Sequence, residues 1–378
     1  MLAFGYLVTY GDHMSATPSN QPWSRTRVQQ LLGLEYPVIQ GPFGNGLSSV
    51  ELAATVAQSG GLGSFGANHL DSEQIRELGA QLYAASTRPI ALNLWVSTHD
   101  IPESAMTPEL FAAAVERLRP LYKAAGASPP PYPEQFAPAF EEQVTAVLEV
   151  GPAAFSFVFG VPDQRLLEAF AERDIVTIGT AITPAEAVAL DEAGVNIIVA
   201  SGMEAGGHRV AFLEEAEKSL FGTFALIGQT VDQVSAPIVA AGGIIDARGV
   251  RAAFELGAEG VQIGTGFLAT EQSGATPEHR AVLFSDEARN TQLTRAFTGR
   301  LARGIPTRLS AEVTAAGPIE PYPYQGYLLA PILAASRAAG RTDLVSLWSG
   351  QSAPGLRYHD AREYLDSLTD PLSGWSPT

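Results

Sequence analysis

The sequence predicts an α/β fold: a closed (βα)8 barrel with a lid or smaller second domain after the eighth strand. Three observations predict it. Eight short runs rich in Val, Ile, Phe and Ala recur along the 378 residues. Alanine-rich segments of helical character stand between most of them. Each run is mainly apolar rather than alternating, as in parallel strands buried on both faces, and a polar residue or glycine stands near the end of each.

The elements follow in order. Residues 1–30 read as a polar, proline-containing extension, with "SRTRVQQLLG" as a short helix leading into the fold. The first strand is "PVIQ", followed by a helix over 48–59; "GSFG" leads to a helix over 71–86; "IALNLW" is the third strand. A proline-rich stretch over about 97–138, with "GASPPPYPEQFAP", reads as a surface insertion. The rhythm resumes with "AAFSFVF" and a helix over 162–173, "IVTIGT" and 183–193, then "VNIIVA" and 223–234. It closes with "PIVAAGG", a helix over 247–256, and "GVQIGTG". Unit count, size and the two final glycine-rich strands over 31–271 favour the barrel over an open doubly wound sheet. Residues 272–325 are expected as the lid or second domain, and 326–378 as a C-terminal helical segment.

Composition narrows the function. Forty acidic against 23 basic residues give a net charge of −17, which argues against nucleic acid and anionic membrane partners. The lack of cysteine removes disulfides, thiolate metal sites, Fe–S clusters and a catalytic thiol. No apolar run approaches a membrane span. The start, "MLAFGYLVTYGDHM", has neither a basic leading region nor a clear cleavage site, so no signal peptide is expected and Met14 is a candidate start. A cytoplasmic enzyme acting on a small molecule is the expectation.

Two glycine patterns differ in worth. Gly61-Leu-Gly-Ser-Phe-Gly66 has the dinucleotide-fingerprint spacing, but it follows a helix and contains a strand, so it reads as a tight turn. Gly242-Gly243 and Gly264-Thr265-Gly266 end the last two strands, where barrels commonly bind a phosphate on bare amides and a helix N-terminus. A phosphate substrate and FMN are both compatible with that pair.

In "ASGMEAGGHRV", His208 follows the sixth strand on the same face. It can act as a base near neutral pH; an ordinary loop histidine is the plain alternative. Gly206 and Gly207 would let the loop approach a flat ligand. His69 and His99 follow the second and third strands, while His13, His279 and His359 stand in polar context. No histidine pair has metal-ligand spacing and no G-x-S-x-G elbow occurs, so neither a metal site nor a serine triad is expected.

Several stretches together resemble the nitronate monooxygenase family, formerly called 2-nitropropane dioxygenases. They are "PVIQGPFGNGLSSVELAATVAQSGGLGSFGA", "ALNLWVS", "FSFVFGVP", "ASGMEAGGHRV", "PIVAAGGIIDARGVRAAFELGAEGVQIGTGFLATEQS" and "TRAFTGRLARGI", in order, with a closing "PYPYQ…LWSGQ". The resemblance implies a TIM barrel with non-covalent FMN and no metal. It implies that Gln40, Gly41, Pro42 and Phe43 line the flavin ring, that Asn93 contacts it and that Gly206 faces it. It likewise implies that Gly243, with Gln262, Ile263, Gly264 and Thr265, holds the phosphate, and that His208 is the catalytic base or orienter. The implied reaction oxidises an alkyl nitronate or nitroalkane with O2 through a one-electron-reduced flavin, releasing nitrite. A protonated His208 would hold an anionic nitronate; a neutral nitroalkane would need it as base.

Three positions depart from that pattern. Ser201 stands where this branch usually has glutamine, Val210 where glycine is usual, and Phe43 where methionine is common. They cluster on the presumed active face and point to a specialised substrate. The competing expectations are an FMN-dependent NAD(P)H enoyl-acyl-carrier-protein or quinone reductase, a non-catalytic FMN-binding barrel, and a sugar-phosphate enzyme without flavin. The oligomeric state, with a homodimer among the options, is left open.

Overall fold

The computed structural model describes Trp23, residues 25–97 and residues 105–377. The expectations for His13, Met14 and His99 lie outside the described residues. Among the described residues the strands run, in chain order, β1 (Val38–Gln40), β2 (Gly63–Gly66), β3 (Ile90–Trp95), β4 (Ala154–Val158), β5 (Val176–Ala181) and β6 (Ile197–Ser201). They continue as β7 (Gly207–His208), β8 (Ile238–Ala241), β9 (Gly260–Ile263), β10 (Gln292–Thr294), β11 (Ala302–Ile305) and β12 (Leu347–Trp348).

Eight of these form the expected barrel, in the order β1-β9-β8-β6-β5-β4-β3-β2 with every pairing parallel. The seam closes between β1 and the residue before β2. There Gln40 N donates to Leu62 O and Leu62 N to Val38 O, each at 2.9 Å. Uniformly apolar strands follow from this closure, because each strand faces two apolar surroundings. Ile197 and Val199 of β6 point inward with Ile39, Leu62, Ile178 and Val239, while Ile198 and Ala200 pack outward. Each such burial contributes about 1.5–3 kcal/mol.

The helix Arg27–Leu32 seals one end of the barrel with Val28 and Leu32. It is started by a Thr26–Gln29 capping box and stopped by Gly33 in a left-handed conformation. At the other end the inward positions turn polar or small: Asn93, Ser156, Thr180, Ser201, Ala241 and Gln262. All of that layer except Ser156 lines the floor of the site. The Gly61–Gly66 turn follows the helix Val50–Gln58 and contains β2, as its context indicated.

A second lobe sits over the polar end. The helix Pro108–Ala125 shares an apolar core with the helices Arg308–Ala315 and Tyr324–Ala338, through Phe111, Leu118, Leu309, Leu328 and Ile332. Tyr122 donates to Leu328 O at 2.6 Å within it. β11 pairs antiparallel with β10, β12 and β7, setting Ala302 opposite His208 and Arg303 opposite Gly207. The loop after β6 is thereby sewn into the second lobe. The chain then returns to the barrel with the helix Ala361–Thr369, whose Tyr364 hydroxyl donates to Ile245 O at 2.9 Å.

Candidate active site

One cleft of about 1300 Å³, measured with its open mouth, lies between the polar barrel end and the second lobe. The structure brings thirteen of the fifteen sequence-expected residues to its wall: Gly41, Pro42 and Phe43; Asn93; Ser201; Gly206, Gly207 and His208; Gly242 and Gly243; Gln262; Gly264 and Thr265.

Gln40 and Ile263 do not line it. Strand alternation is the reason: Ile39 and Gln262 point inward, so their neighbours point outward. The Gln40 amide works between strands instead. Its oxygen accepts from Ser64 N at 2.9 Å and its nitrogen donates to Gly41 O, bracing the loop after β1.

Local backbone geometry explains the glycines. Gly242 and Gly243 have φ of 99° and 73°, in the left-handed region that costs other residues. A Cβ on Gly242 would also lie 2.9 Å from Thr223 Oγ1 and 3.1 Å from Ala205 N. The neighbouring amides of Gly264 and Thr265 open the short helix Thr265–Leu268, whose first N–H groups have no intrahelical acceptor. Gly206 serves packing: a Cβ there would lie 2.6 Å from Gly350 N and from the Ser349 carbonyl carbon.

His208 stands in an aromatic box. Its ring meets Trp95 edge-on at 4.9 Å and Phe159 at 6.1 Å, and lies tilted against Trp348 at 5.3 Å. Its Nε2 is 2.8 Å from Thr298 Oγ1. Burial, reinforced by the nearby Arg300 guanidinium, pushes its pKa down to about 3. A pKa that low favours the neutral imidazole near pH 7. Arg300 lies over Phe159 at 3.7 Å, Tyr322 at 4.0 Å and Trp95 at 5.0 Å, and donates to Ser97 Oγ at 3.0 Å. Phe159 holds φ of 67°, an uncommon conformation for a bulky residue and a mark of local constraint at the cavity wall.

The His208 loop is anchored by buried charges. Arg209, 1% exposed, donates through Nη1 to Ser201 O at 3.0 Å and Gly202 O at 2.7 Å. Burial lowers its pKa to about 10, so it stays a cation. Glu186, also fully buried, accepts from Ile182 N at 2.8 Å and Phe212 N at 2.7 Å. Burial raises its pKa, against the opposing pull of those amides and of Arg209. Glu204 accepts from Thr223 N at 2.9 Å and Thr223 Oγ1 at 2.8 Å, at the start of the helix Thr223–Val231, whose Gly222 cap offers no side chain.

Sequence reasoning missed much of the wall. Trp95, Phe159 and Trp348 line it, as do Asn68 and Ser349-Gly350. Both tryptophans stood inside quoted motifs, but nothing local says that residues 253 positions apart share one cavity. Among the described residues, the buried Asn68 side-chain oxygen has no hydrogen-bond partner. His69 supports the rim, its Nδ1 accepting from Asn45 N at 3.3 Å. His279, expected in polar context, is 4% exposed and bonded to Trp348 O at 3.1 Å, so it buttresses the wall from behind. Among the described residues no group of three acidic or histidine side chains could hold a metal ion, and no helix is long and apolar enough to cross a membrane.

The family profile described as nitronate monooxygenase matches residues 25–370. A probable nitronate monooxygenase of Staphylococcus saprophyticus is 37% identical over 346 residues, covering 91% of this chain and 96% of that protein. A protein of the same description from Staphylococcus aureus is 34% identical over 353 residues, covering 93% and 98%. The solved nitroalkane oxidase of Streptomyces ansochromogenes superposes with a TM-score of 0.83 at 29% identity, over 92% of this chain and 98% of its own. FabK of Thermotoga maritima, at 24% identity and a TM-score of 0.70 over 93% and 96%, shares the fold. Matched along nearly its whole described length, the chain belongs to the nitronate monooxygenase family of oxidoreductases.

Proposed function

We propose that the protein is an FMN-dependent enzyme that oxidises an alkyl nitronate or nitroalkane with O2 and releases nitrite. The observation that carries this reading is the facing of His208, in its aromatic box, and the glycine cradle of Gly242, Gly243, Gly264 and Thr265 across one cleft. FMN suits the residues present. Gly242, Gly243 and Gly264 put no Cβ beside their amides, and the Asn68 oxygen, partnerless among the described residues, suits a ring N–H. When bound, FMN supplies the electron acceptor that passes electrons to O2.

The chain's own residues do the rest. Gly243, Gly264 and Thr265 hold the phosphate, and Asn93, Ser201 and Gln262 supply polar contacts at the barrel mouth. Trp95, Phe159, Val210 and Trp348 exclude water from the substrate side. His208 orients the nitro group. Ser201 and Val210 shape the pocket for a specialised substrate, and the enzyme works in the cytoplasm on a small molecule and O2, with a homodimer as the assembly to test.

The test is the visible spectrum of the purified protein, then anaerobic mixing with ethylnitronate, propionate 3-nitronate and, separately, NADH. A yellow protein bleached by a nitronate and indifferent to NADH supports the proposal. Fast full reduction by NADH moves the assignment to an NAD(P)H-dependent reductase. A colourless protein that takes up no FMN overturns it.

A further inference from the structure

Among the described residues, which include all 23 Lys and Arg of the chain, no Lys or Arg lines the cleft. Its one acidic side chain is Glu204, already bonded to Thr223. Beside His208 the wall is apolar, with Trp95, Val158, Phe159 and Val210 packed as one cluster. Positive charge stands directly behind that cluster. A smaller pocket of about 520 Å³, measured with its open mouth, is lined by Arg209, Arg295 and Arg300 against the single carboxylate of Glu214. Among the described residues, Phe159 alone lines both cavities. Arg209 commits Nη1 to the carbonyls of Ser201 and Gly202, and Arg295 pairs with Glu217. The Arg300 guanidinium carbon lies 3.7 Å from the centre of the Phe159 ring, on the side away from the cleft. A carboxylate that entered the cleft would therefore lose water among aromatic rings and meet no cation, which is costly for a charge. The net charge of −17 acts in the same direction.

We propose that Phe159 is the specificity-determining residue of the site: its ring walls the arginine pocket off from the cleft, so that the enzyme takes nitronates or nitroalkanes with an uncharged alkyl or arylalkyl tail and discriminates against those that carry a second anionic group. The inference deepens the proposed function and rests on it for the nitro group; the charge preference rests on the walls alone. Phe159 is 6% exposed and holds its φ of 67° under constraint from its surroundings, as a fixed partition would. Arg300 also lies over Tyr322 and Trp95 and donates to Ser97 Oγ, so it keeps its place when the Phe159 ring is removed. Removing that ring joins the two cavities and puts the guanidinium on the cleft wall.

Matched substrates isolate the charge. Propionate 3-nitronate and 3-methylbutyl-1-nitronate differ by a carboxylate in place of an isopropyl group of nearly the same shape. We expect wild-type kcat/KM to favour the isopropyl compound about 10²-fold or more, as for a buried charge without a partner. Phe159→Gly removes the ring and suits a φ of 67°, and should narrow that preference about tenfold or more by offering a cation. Adding Arg300→Gln should restore the preference, whereas a gain from space alone would survive it. Phe159→Leu keeps an apolar partition and should keep the wild-type preference. If Phe159→Gly does not fold, Phe159→Ala takes its place. The same preference is read without turnover, by calorimetric titration of the purified protein with 4-methylpentanoate and with succinate, which carry a carboxylate where the nitronate would stand. Wild-type protein that binds 4-methylpentanoate about tenfold or more tighter than succinate supports the proposal even if no nitronate is oxidised. Succinate or propionate 3-nitronate matching its isopropyl counterpart in the wild type would overturn it, and so would an unchanged preference once the Phe159 ring is gone.

Discussion

Replacing Gly206 by alanine is the perturbation whose cost the geometry fixes most directly. The added Cβ would stand 2.6 Å from two backbone atoms, the Gly350 nitrogen and the Ser349 carbonyl carbon. Reaching an ordinary contact of 3.4 Å takes about 0.8 Å of movement, and neither neighbour can rotate aside. Ser349 is 1% exposed, so the displacement falls on the loop that carries His208 two residues later. A misplacement near 1 Å costs about 10²-fold in rate, and the overpacking about 1–3 kcal/mol in stability. We therefore expect Gly206→Ala to lower kcat about 10²-fold while FMN affinity, set by the cradle after β8 and β9, changes far less. Gly207→Ala is the companion variant. Nothing lies within 4 Å of its added Cβ, but its φ of 78° imposes about 1–2 kcal/mol of conformational cost. Nitronate-dependent oxygen uptake, flavin content and thermal unfolding measure the pair. Wild-type kcat in Gly206→Ala, or a larger kcat loss in Gly207→Ala, would refute the claim that contact at Gly206 sets the place of His208.

Three further outcomes follow from the same structure. Glu204→Ala removes the acceptor for Thr223 N and Oγ1 at a helix start without its own cap, so urea unfolding should report a loss of about 2–4 kcal/mol, and Glu204→Gln a smaller one. Burial holds His279 down at about 4, whereas an unfolded imidazole titrates near 6.5. The unfolded chain thus binds more protons between those values. Stability is complete above about pH 6.5 and is lost as pH falls toward 4, by about 2 kcal/mol at pH 5. His279→Gln keeps a donor for Trp348 O and should flatten that acid limb; an unchanged difference between unfolding at pH 7 and pH 5 would contradict the assignment. Ser201→Gln lengthens a side chain on the cleft floor and should raise KM for bulky nitronates more than for small ones, and a uniform effect on both would remove Ser201 from the list of selectivity residues.

The barrel was legible because its signal is local and repeated. Eight apolar runs ending in small residues leave few topologies, and the register of β6, β8 and β9 puts Ser201, Ala241 and Gln262 on one level. The cradle was legible for the same reason, since Gly242 and Gly243 need the left-handed backbone that few residues but glycine adopt readily. What stayed hidden depends on long-range contact. Gln40 and Ile263 were assigned through motif resemblance, which follows sequence neighbours, while strand alternation turns neighbours to opposite faces. Thr298 and Arg300 sat in a quoted motif, "TRAFTGRLARGI", with no chemistry attached. Their role depends on β11 pairing with the two-residue β7, and a strand that short leaves no periodic trace. His279 looked polar from its neighbours because a helix places adjacent residues on different faces.

The division of labour between the lobes has a consequence for stability and chemistry together. The barrel alone supplies the cradle, but His208 takes its position from three directions. Arg209 ties the loop to the end of β6, Glu186 ties Phe212 to the turn after β5, and β11 ties His208 itself to the second lobe. A buried cation and a buried carboxylate are costly ways to hold a loop, since burial opposes the charge of each. Apolar packing could stabilise the same segment at less cost, but it would not hold the backbone of Ser201 and Gly202 through directed bonds. The two charges therefore contribute position more than stability. Thr298, Arg300 and Trp348, which stand around the His208 ring, all belong to the second lobe. Local opening of that lobe, short of unfolding the barrel, would leave the cradle intact while releasing the imidazole. In graded urea, turnover should be lost before FMN dissociates, and simultaneous loss would mean that the two lobes unfold as one unit.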